Sequence, residues 1–333
     1  MAVELPAGLH ADTLPGRTQD PESDYFCTDT EANGYRWWYL DVVSDDRQHS
    51  LVIIGFVGSV FSPYYAAARR RGPTDPFNYC ALNAILYGPG RKKRWALTER
   101  GSADFASDAC GVRIADSRMY WQDGRLIVDI NERCNPLPFA FKGQVALTPD
   151  ITNTRAFALH SNGKHHWWPA APVAHATVAL SSPDLTFSGS AYLDSNFGSE
   201  PLENGFVDWD WSRRETVVQD GQTPLLTYRC TERDTSSPPL SLAVTPEGTL
   251  CTATVGEHQT LSNTGWRVAR ATQSQTPVQH VKTLEDTPFY ARSLLTHADG
   301  QHSMHESLSL DRFASRWVQT LLPFRMPRNA SRR

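Results

Sequence analysis

The stretch GKHHWWPAAPVAHATVALSSPDLTFSGSAYLDSNFG, Gly163–Gly198, carries the pattern on which the fold and the chemistry turn. It opens on a His-x-Trp pair, His165 and Trp167, and closes on a Tyr-x-Asp pair, Tyr192 and Asp194. Between them VAHATVALSS and LTFSGSAYLD read as strand runs. Alternate residues of a β-strand point to the same face, so each x spacing sets both members of a pair on one side of a sheet. On neighbouring strands the two pairs bring an imidazole, an indole, a phenol and a carboxyl group into one pocket. That set holds one acid, two aromatic faces and one residue able to tune the acid.

Upstream, GYRWWYLDVVSDD (Gly34–Asp46) reads as a strand with aromatics on both faces, closed by a Ser-Asp-Asp turn. HSLVIIGFVGSVF (His49–Phe61) is nearly all apolar, as in a strand buried on both faces, and completes a hairpin. SPYYAAARRRG (Ser62–Gly72) has a Ser-Pro start and a basic last turn before Gly, the marks of a short helix. Its three arginines suit either a favourable helix dipole or an anionic lipid surface. From Asn78 to Pro149 short strand-like runs recur between turns, among them the hairpin signal QDGR, Gln122–Arg125. QDG at Gln219–Gly221 and PEG at Pro246–Gly248 punctuate a second series of such runs.

Short strands at regular spacing with few helix-period stretches predict an all-β protein of barrels or sandwiches. A seam is expected at Pro149–Gly163 or at the Pro-rich WWPAAP (Trp167–Pro172) just after it, giving a flexible lead-in over 1–23, one β-barrel domain over 24–164 and a second over 165–333. A terminal helix is expected over Ser309–Leu322, with Leu310, Phe313, Trp317 and Leu321 at helix spacing, packed on a barrel. Beyond it Arg325, Arg328, Arg332 and Arg333 form a basic tail, a second pointer to lipid.

A chain of 333 residues with 40% hydrophobic and 20% charged residues is ordinary for a soluble protein with ample core. Its net charge of −4 gives no reason to expect nucleic acid. Ten Trp, eleven Tyr and fourteen Phe suit either a large apolar or planar ligand or a β-rich core, since aromatics favour strands. Six cysteines without C-x-x-C spacing, and no basic-then-apolar leader, point to the cytoplasm and reduced thiols. Adjacent His165 and His166 face opposite ways on a strand, and no further ligand completes a set, so no metal is expected. In GFVDWDWSRR (Gly205–Arg214), Asp208 and Asp210 share one face and Trp209 and Trp211 the other. Two acids on one strand are poorly placed to flank a glycosidic bond; they read as structural or pocket-rim, with Asp210 a candidate second acid. Glu99 and Arg100 of TERG point opposite ways, Glu99 toward a buried ion pair with another strand.

Through YRWWYLDVVSDD, FVGSVFSPYYAAARRRG, WALTERG, HHWWP, AYLDSNFG and DWDWSRR, in that order, the chain resembles the carotenoid 1,2-hydratases of purple bacteria, also called hydroxyneurosporene synthases. The blocks span roughly Tyr25 to Arg328. The resemblance implies two lipocalin-like β-barrel or sandwich domains with a short C-terminal helix. It implies hydration of the terminal double bond of an acyclic carotenoid such as neurosporene or lycopene, without cofactor, by an enzyme resting on the inner, photosynthetic membrane. The family's His-x-Trp and Tyr-x-Asp map onto His165, Trp167, Tyr192 and Asp194. The carotenoid would also meet Trp168, His166, Trp209, Trp211, Trp37 and Tyr39.

The residue types suit that reaction. An unactivated alkene must be protonated before water can add. A free Asp titrates at about 4, and burial raises a carboxyl group, keeping its proton available. Asp194 is therefore the expected general acid, with Trp167 and Tyr192 as electron-rich walls for the cation. His165 either hydrogen-bonds the carboxyl group or takes the proton from the attacking water. The same aromatics would serve a lipocalin-like carrier that does no chemistry, or a related isoprenoid cyclase or isomerase; a carrier has no use for a buried acid at Asp194.

Overall fold

The computed structural model describes residues 11–12, 24–90, 92–214, 225–244 and 249–329. Apart from residues 11–12, the expected lead-in lies outside them, as do the QDG turn at 219–221, the PEG turn at 246–248 and Arg332 and Arg333. The chain divides into two compact units. The described residues of the larger fall within 11–157, 164–201 and 320–333, and those of the smaller within 158–163 and 202–319.

The larger unit begins with β1 (Tyr35–Ser44) and β2 (Ser50–Val57), then the helix α1 (Pro63–Arg69), β3 (Cys80–Tyr87) and β4 (Lys93–Arg100). Short strands β5 (Phe105–Ser107), β6 (Gly111–Ile114) and β7 (Ser117–Gln122) lead into β8 (Arg125–Arg133), β9 (Ala140–Ile151), β10 (His165–Ser182) and β11 (Asp184–Gly198). The sheet runs β4-β3-β2-β1-β11-β10-β9-β8-β7-β6-β5. The expected hairpin at Gln122–Arg125 forms, with Asp123 and Gly124 both at positive φ, as an Asp-Gly turn requires. Ser62 caps α1, its hydroxyl accepting the N–H groups of Tyr64 and Tyr65 at 3.1 and 3.0 Å. The helix stops at Arg69, within the expected basic last turn Arg69–Arg71, with the Arg69 guanidinium 4.4 Å over the Tyr65 ring.

The sheet curls on itself. Strand β4 comes round to β8, where Arg100 meets Glu132 at 2.9 Å and the Asn135 side chain donates to the Leu97 carbonyl at 2.9 Å. The inner face of the curl is the core, with Trp38, Leu40, Ile53, Leu82, Trp168 and Leu193 all buried. Strands β1, β2 and β3 are buried along their whole length on both faces, as the apolar run of β2 predicts. The outer face of β1 and its neighbours is therefore a second buried layer. It carries the candidate site.

Two expectations change here. Strands β10 and β11, assigned by sequence to a second domain beginning at residue 165, belong to the first sheet. Strand β10 pairs with β9 and β11 with β1, so these two long strands join its halves. The prolines that suggested a seam, Pro169 and Pro172, sit at register shifts between Trp168 and Ala174, where a bulge absorbs residues that cannot donate to the ladder. The terminal helix is broken at Ser315, whose backbone is extended, into α2 (Leu310–Ala314) and α3 (Arg316–Arg325). The break alters the helical phase: Leu310 and Phe313 are buried, whereas Trp317 and Leu321 are about half exposed. A last short strand, Arg328–Asn329, pairs with β4 and brings Arg328 onto the buried Glu99 carboxylate. Arg325 lies 4.7 Å over the Trp95 ring. Both tail arginines thus hold the fold, and Glu99 makes its expected buried ion pair.

The smaller unit is a seven-stranded antiparallel sheet built on β12 (Phe206–Arg214), β13 (Leu225–Glu232) and the strands Val278–Asp286, Tyr290–His297 and His302–Ser309, with a separate hairpin of Glu257–Leu261 and Arg270–Ser274.

Candidate active site

Strands β1 and β11 run antiparallel with Tyr39 opposite Asp194 and Asp41 opposite Tyr192. On the far side of β11, β10 sets His165 opposite Gly198 and Trp167 opposite Asn196. Opposite residues share a face. All four residues of the His-x-Trp and Tyr-x-Asp pairs therefore meet on one buried face, together with Tyr35, Trp37, Tyr39 and Asp41 of β1.

Asp194 is at the centre, only 4% exposed. Its Oδ2 accepts two hydrogen bonds of 2.9 Å, one from the Trp167 indole N–H and one from the Tyr192 hydroxyl. The hydroxyl of buried Tyr25, absent from the sequence expectations, donates to the Asp194 backbone carbonyl at 2.6 Å. Burial foremost, with the Asp194 carboxyl group as neighbour, pushes the phenols of Tyr192 and Tyr25 well above their ordinary range. Both hydroxyls remain protonated donors throughout the neutral range. Aromatic side chains enclose the Asp194 carboxyl group.

His165 is fully buried. Its Nδ1 lies 2.9 Å from the Tyr35 hydroxyl and its Nε2 3.4 Å from a Glu200 carboxylate oxygen. The imidazole stacks on Tyr35, which stacks on Trp37 with centroids 5.1 Å apart. Gly198 leaves room for this contact: a Cβ there would stand 2.7 Å from the Tyr35 ring and 2.9 Å from His165 Nδ1. Tyr35 and Glu200 were not singled out by sequence. Tyr35 sits two residues before Trp37 on the same face, and that period-2 signal would have found it.

Comparison with known proteins decides the family. A family model described as "Carotenoid hydratase CrtC" matches residues 53–333. The acyclic carotenoid 1,2-hydratase of Thiocapsa roseopersicina is 45% identical over 327 residues, covering 96% of this chain and 79% of that one. That of Rubrivivax gelatinosus is 40% identical, covering 89% and 74%. This chain belongs to the carotenoid hydratase family. Its fold recurs in kievitone hydratase from Nectria haematococca, with a TM-score of 0.52 at 7% identity over 88% of this chain and 93% of that one. A Nitrosomonas europaea structure ascribed to AttH gives 0.59 at 15% identity over 90% and 99%.

Of the other residues expected to meet substrate, Trp37 and Tyr39 share the face of Asp194 in this carotenoid hydratase family member. Trp168 and His166 do not. Strand alternation turns Trp168 into the core, where its indole N–H donates to the Asn153 carbonyl at 2.6 Å. It turns His166 onto Phe197, with ring centroids 5.1 Å apart. Trp209 and Trp211 are buried in the sheet of the smaller unit, Trp209 against Phe206 and Tyr228. Asp208 and Asp210 both bind Arg229, at 3.1 Å from Nη2 and 3.0 Å from Nε, and Asp210 also accepts the Ala271 N–H at 3.2 Å. These contacts give the pair a structural role. Among the described residues no cluster of three or more His, Cys, Asp or Glu side chains is placed to hold a metal ion.

Proposed function

We propose that the protein adds water across the terminal C1–C2 double bond of an acyclic carotenoid such as neurosporene or lycopene, with Asp194 as the general acid. The observation that carries this reading is the buried Asp194 carboxyl group held by Trp167 and Tyr192. With Oδ2 accepting both donors, the transferable proton belongs on Oδ1. Delivery to C2 leaves a tertiary cation at C1, which water captures to give a 1-hydroxy carotenoid. The Trp167 and Tyr192 rings face that charge, and each such contact is worth about 2 kcal/mol when desolvated. As the proton leaves, the two hydrogen bonds to Oδ2 strengthen and stabilise the developing carboxylate. His165, held by Tyr35 and Glu200, positions the aromatic wall. The alkene π pair forms the C2–H bond, a water lone pair forms the C1–O bond, and the protons come from the chain and water.

A carotenoid resides in lipid, and we infer peripheral contact with the cytoplasmic face of the inner membrane. Among the described residues no helix is long and apolar enough to cross a membrane. The loop between β8 and β9 presents Leu137 and Phe139, 62% and 59% exposed. Basic residues surround it: Lys92 and Lys93 are exposed on the neighbouring β3–β4 hairpin, and the Arg94 guanidinium lies 5.8 Å from the Phe139 ring. Apolar tips among cations fit an anionic bilayer surface.

The test is incubation with lycopene in liposomes and oxygen-18 water, read by mass spectrometry, with Asp194→Asn alongside. A labelled tertiary alcohol from the wild type, lost in the variant, supports the reading. Labelled alcohol from both removes Asp194 as the acid. Bound, unchanged lycopene with both points to a carrier.

A further inference from the structure

The tripeptide Tyr-Leu-Asp occurs twice, at Tyr39-Leu40-Asp41 and at Tyr192-Leu193-Asp194. The two copies lie on paired antiparallel strands in a register that crosses them, so each tyrosine stands opposite the other copy's aspartate. Each makes the same internal contact. The Tyr192 hydroxyl donates to Asp194 at 2.9 Å, and the Tyr39 hydroxyl donates to Asp41 at 3.1 Å. The two rings meet edge to face with centroids 6.2 Å apart. Asp41, like Asp194, is buried, with 0% of its surface exposed. Asp41 and Asp194 are diagonal across this antiparallel pair, and diagonal neighbours lie about 7–8 Å apart. A second buried carboxyl group thus stands diagonally across from the first, on the same face, with a phenol beside each.

We propose that Asp41 is the second carboxylate of this site and the base for the attacking water, a role that rests on the hydratase reading above. Asp194 gives its proton to C2, the alkene electron pair forms the C2–H bond, and C1 becomes cationic. A water oxygen lone pair forms the C1–O bond, and the proton this water sheds passes to Asp41. The chain then holds Asp41 protonated and Asp194 ionised. One proton returned through the hydroxyls of Tyr39 and Tyr192 restores the starting state. The sum is carotenoid plus one water, with nothing else consumed. Acid and base are separate groups, and the two halves of the reaction can therefore be disabled separately.

The experiment compares wild type, Asp41→Asn and Asp194→Asn with lycopene in deuterated buffer, reading both alcohol formed and deuterium in recovered lycopene. Asp41→Asn keeps an acceptor for the Tyr39 hydroxyl. It is expected to lose hydration by about a hundredfold or more, the usual worth of a general base. It should still place deuterium in recovered lycopene, because Asp194 protonates C2 reversibly. Asp194→Asn should do neither. Hydration by Asp41→Asn at the wild-type rate overturns the proposal, and so does loss of exchange as complete as in Asp194→Asn, which would make Asp41 structural. Should Asp41→Asn not fold, Tyr39→Phe carries the same test. Removing that hydroxyl should slow hydration about tenfold, the worth of one hydrogen bond to a charged group, with exchange retained; unchanged hydration overturns the relay. A wild type that neither hydrates nor exchanges would instead sink the hydratase reading itself.

Discussion

Trp167 and Tyr192, on different strands, donate to the same oxygen of Asp194 at the same distance, 2.9 Å. A carboxylate oxygen has two lone pairs in the carboxyl plane, so these donors use both directions and fix the rotamer of Asp194. The hydrogen bonds gain strength as Asp194 becomes an anion. Tyr192→Phe removes one of them and keeps the ring. It should lower kcat by about ten- to a hundredfold, taking about 1.5–3 kcal/mol for a hydrogen bond to a charged group. Steady-state hydration with the variant checks this. A rate within twofold of wild type would show that the hydroxyl does not assist proton transfer.

The second prediction concerns Gly198. A methyl group there would press on Tyr35, on His165 and on the Lys164 carbonyl, all within 2.9 Å of the new carbon. Two of these three neighbours are large buried rings and the third is backbone, so none yields easily. Gly198→Ala should cost about 1–3 kcal/mol, the usual range for overpacking. Chemical denaturation reads that loss, and hydration should fall with it. An unchanged midpoint would mean that the strand end moves freely.

The all-β class and the shared face of the candidate site were legible because period-2 alternation is a strong local signal. It placed His165 with Trp167 and Tyr192 with Asp194 on one face, as the register confirms. The same rule, applied to Trp168 and His166, turns both away from Asp194. Strand partners were not legible, because hydrogen-bonded neighbours can lie far apart in sequence: β1 pairs with β11, about 150 residues on, so the crossed Tyr-Leu-Asp copies emerged only with the register. The prolines after Trp168 read as a seam, since a bulge and a linker share the same composition. The break at Ser315 is a tertiary effect in which packing of Leu310 and Phe313 outweighs one continuous helical phase.

The exposed loop gives a third prediction. Liposomes containing anionic lipid should float the protein, and neutral ones should do so less, with binding weakened by salt as surface charges are screened. Leu137→Ser combined with Phe139→Ser should reduce flotation while leaving hydration of detergent-dispersed lycopene near wild type, because this loop is remote in sequence and strand position from Asp194. Equal flotation of variant and wild type would locate lipid contact elsewhere.

Arg328 supplies the fourth. It pairs with Glu99, whose side chain is fully buried. Burial already raises the Glu99 carboxyl group above its ordinary range, and Arg328 opposes that shift. Arg328→Ala strands a buried carboxyl group and should destabilise the larger unit by about 3–5 kcal/mol. Arg328→Ala combined with Glu99→Gln should recover part of that loss. Thermal denaturation of the single and double variants measures the coupling, and additive losses would show that the pair is not one unit.

The fifth prediction fixes a pH window in the smaller unit. His297 is buried with its Nε2 2.7 Å from the Ser303 hydroxyl and its Nδ1 3.2 Å from that of Ser274. Burial first, and the nearby Arg214 charge second, lower its pKa to about 4. The unfolded chain takes up a proton at this histidine below about pH 6.5, whereas the folded chain does so only near 4. Between those values the unfolded state binds more protons, so stability is complete above about 6.5 and is lost as pH falls toward 4. The slope is about 1.4 kcal/mol per pH unit and the total loss about 3 kcal/mol. Denaturant titrations at pH 7 and pH 4.5 should show a smaller acid loss in His297→Gln than in wild type, since the variant has no proton to gain. An equal loss in both would place the acid sensitivity of this unit on other groups.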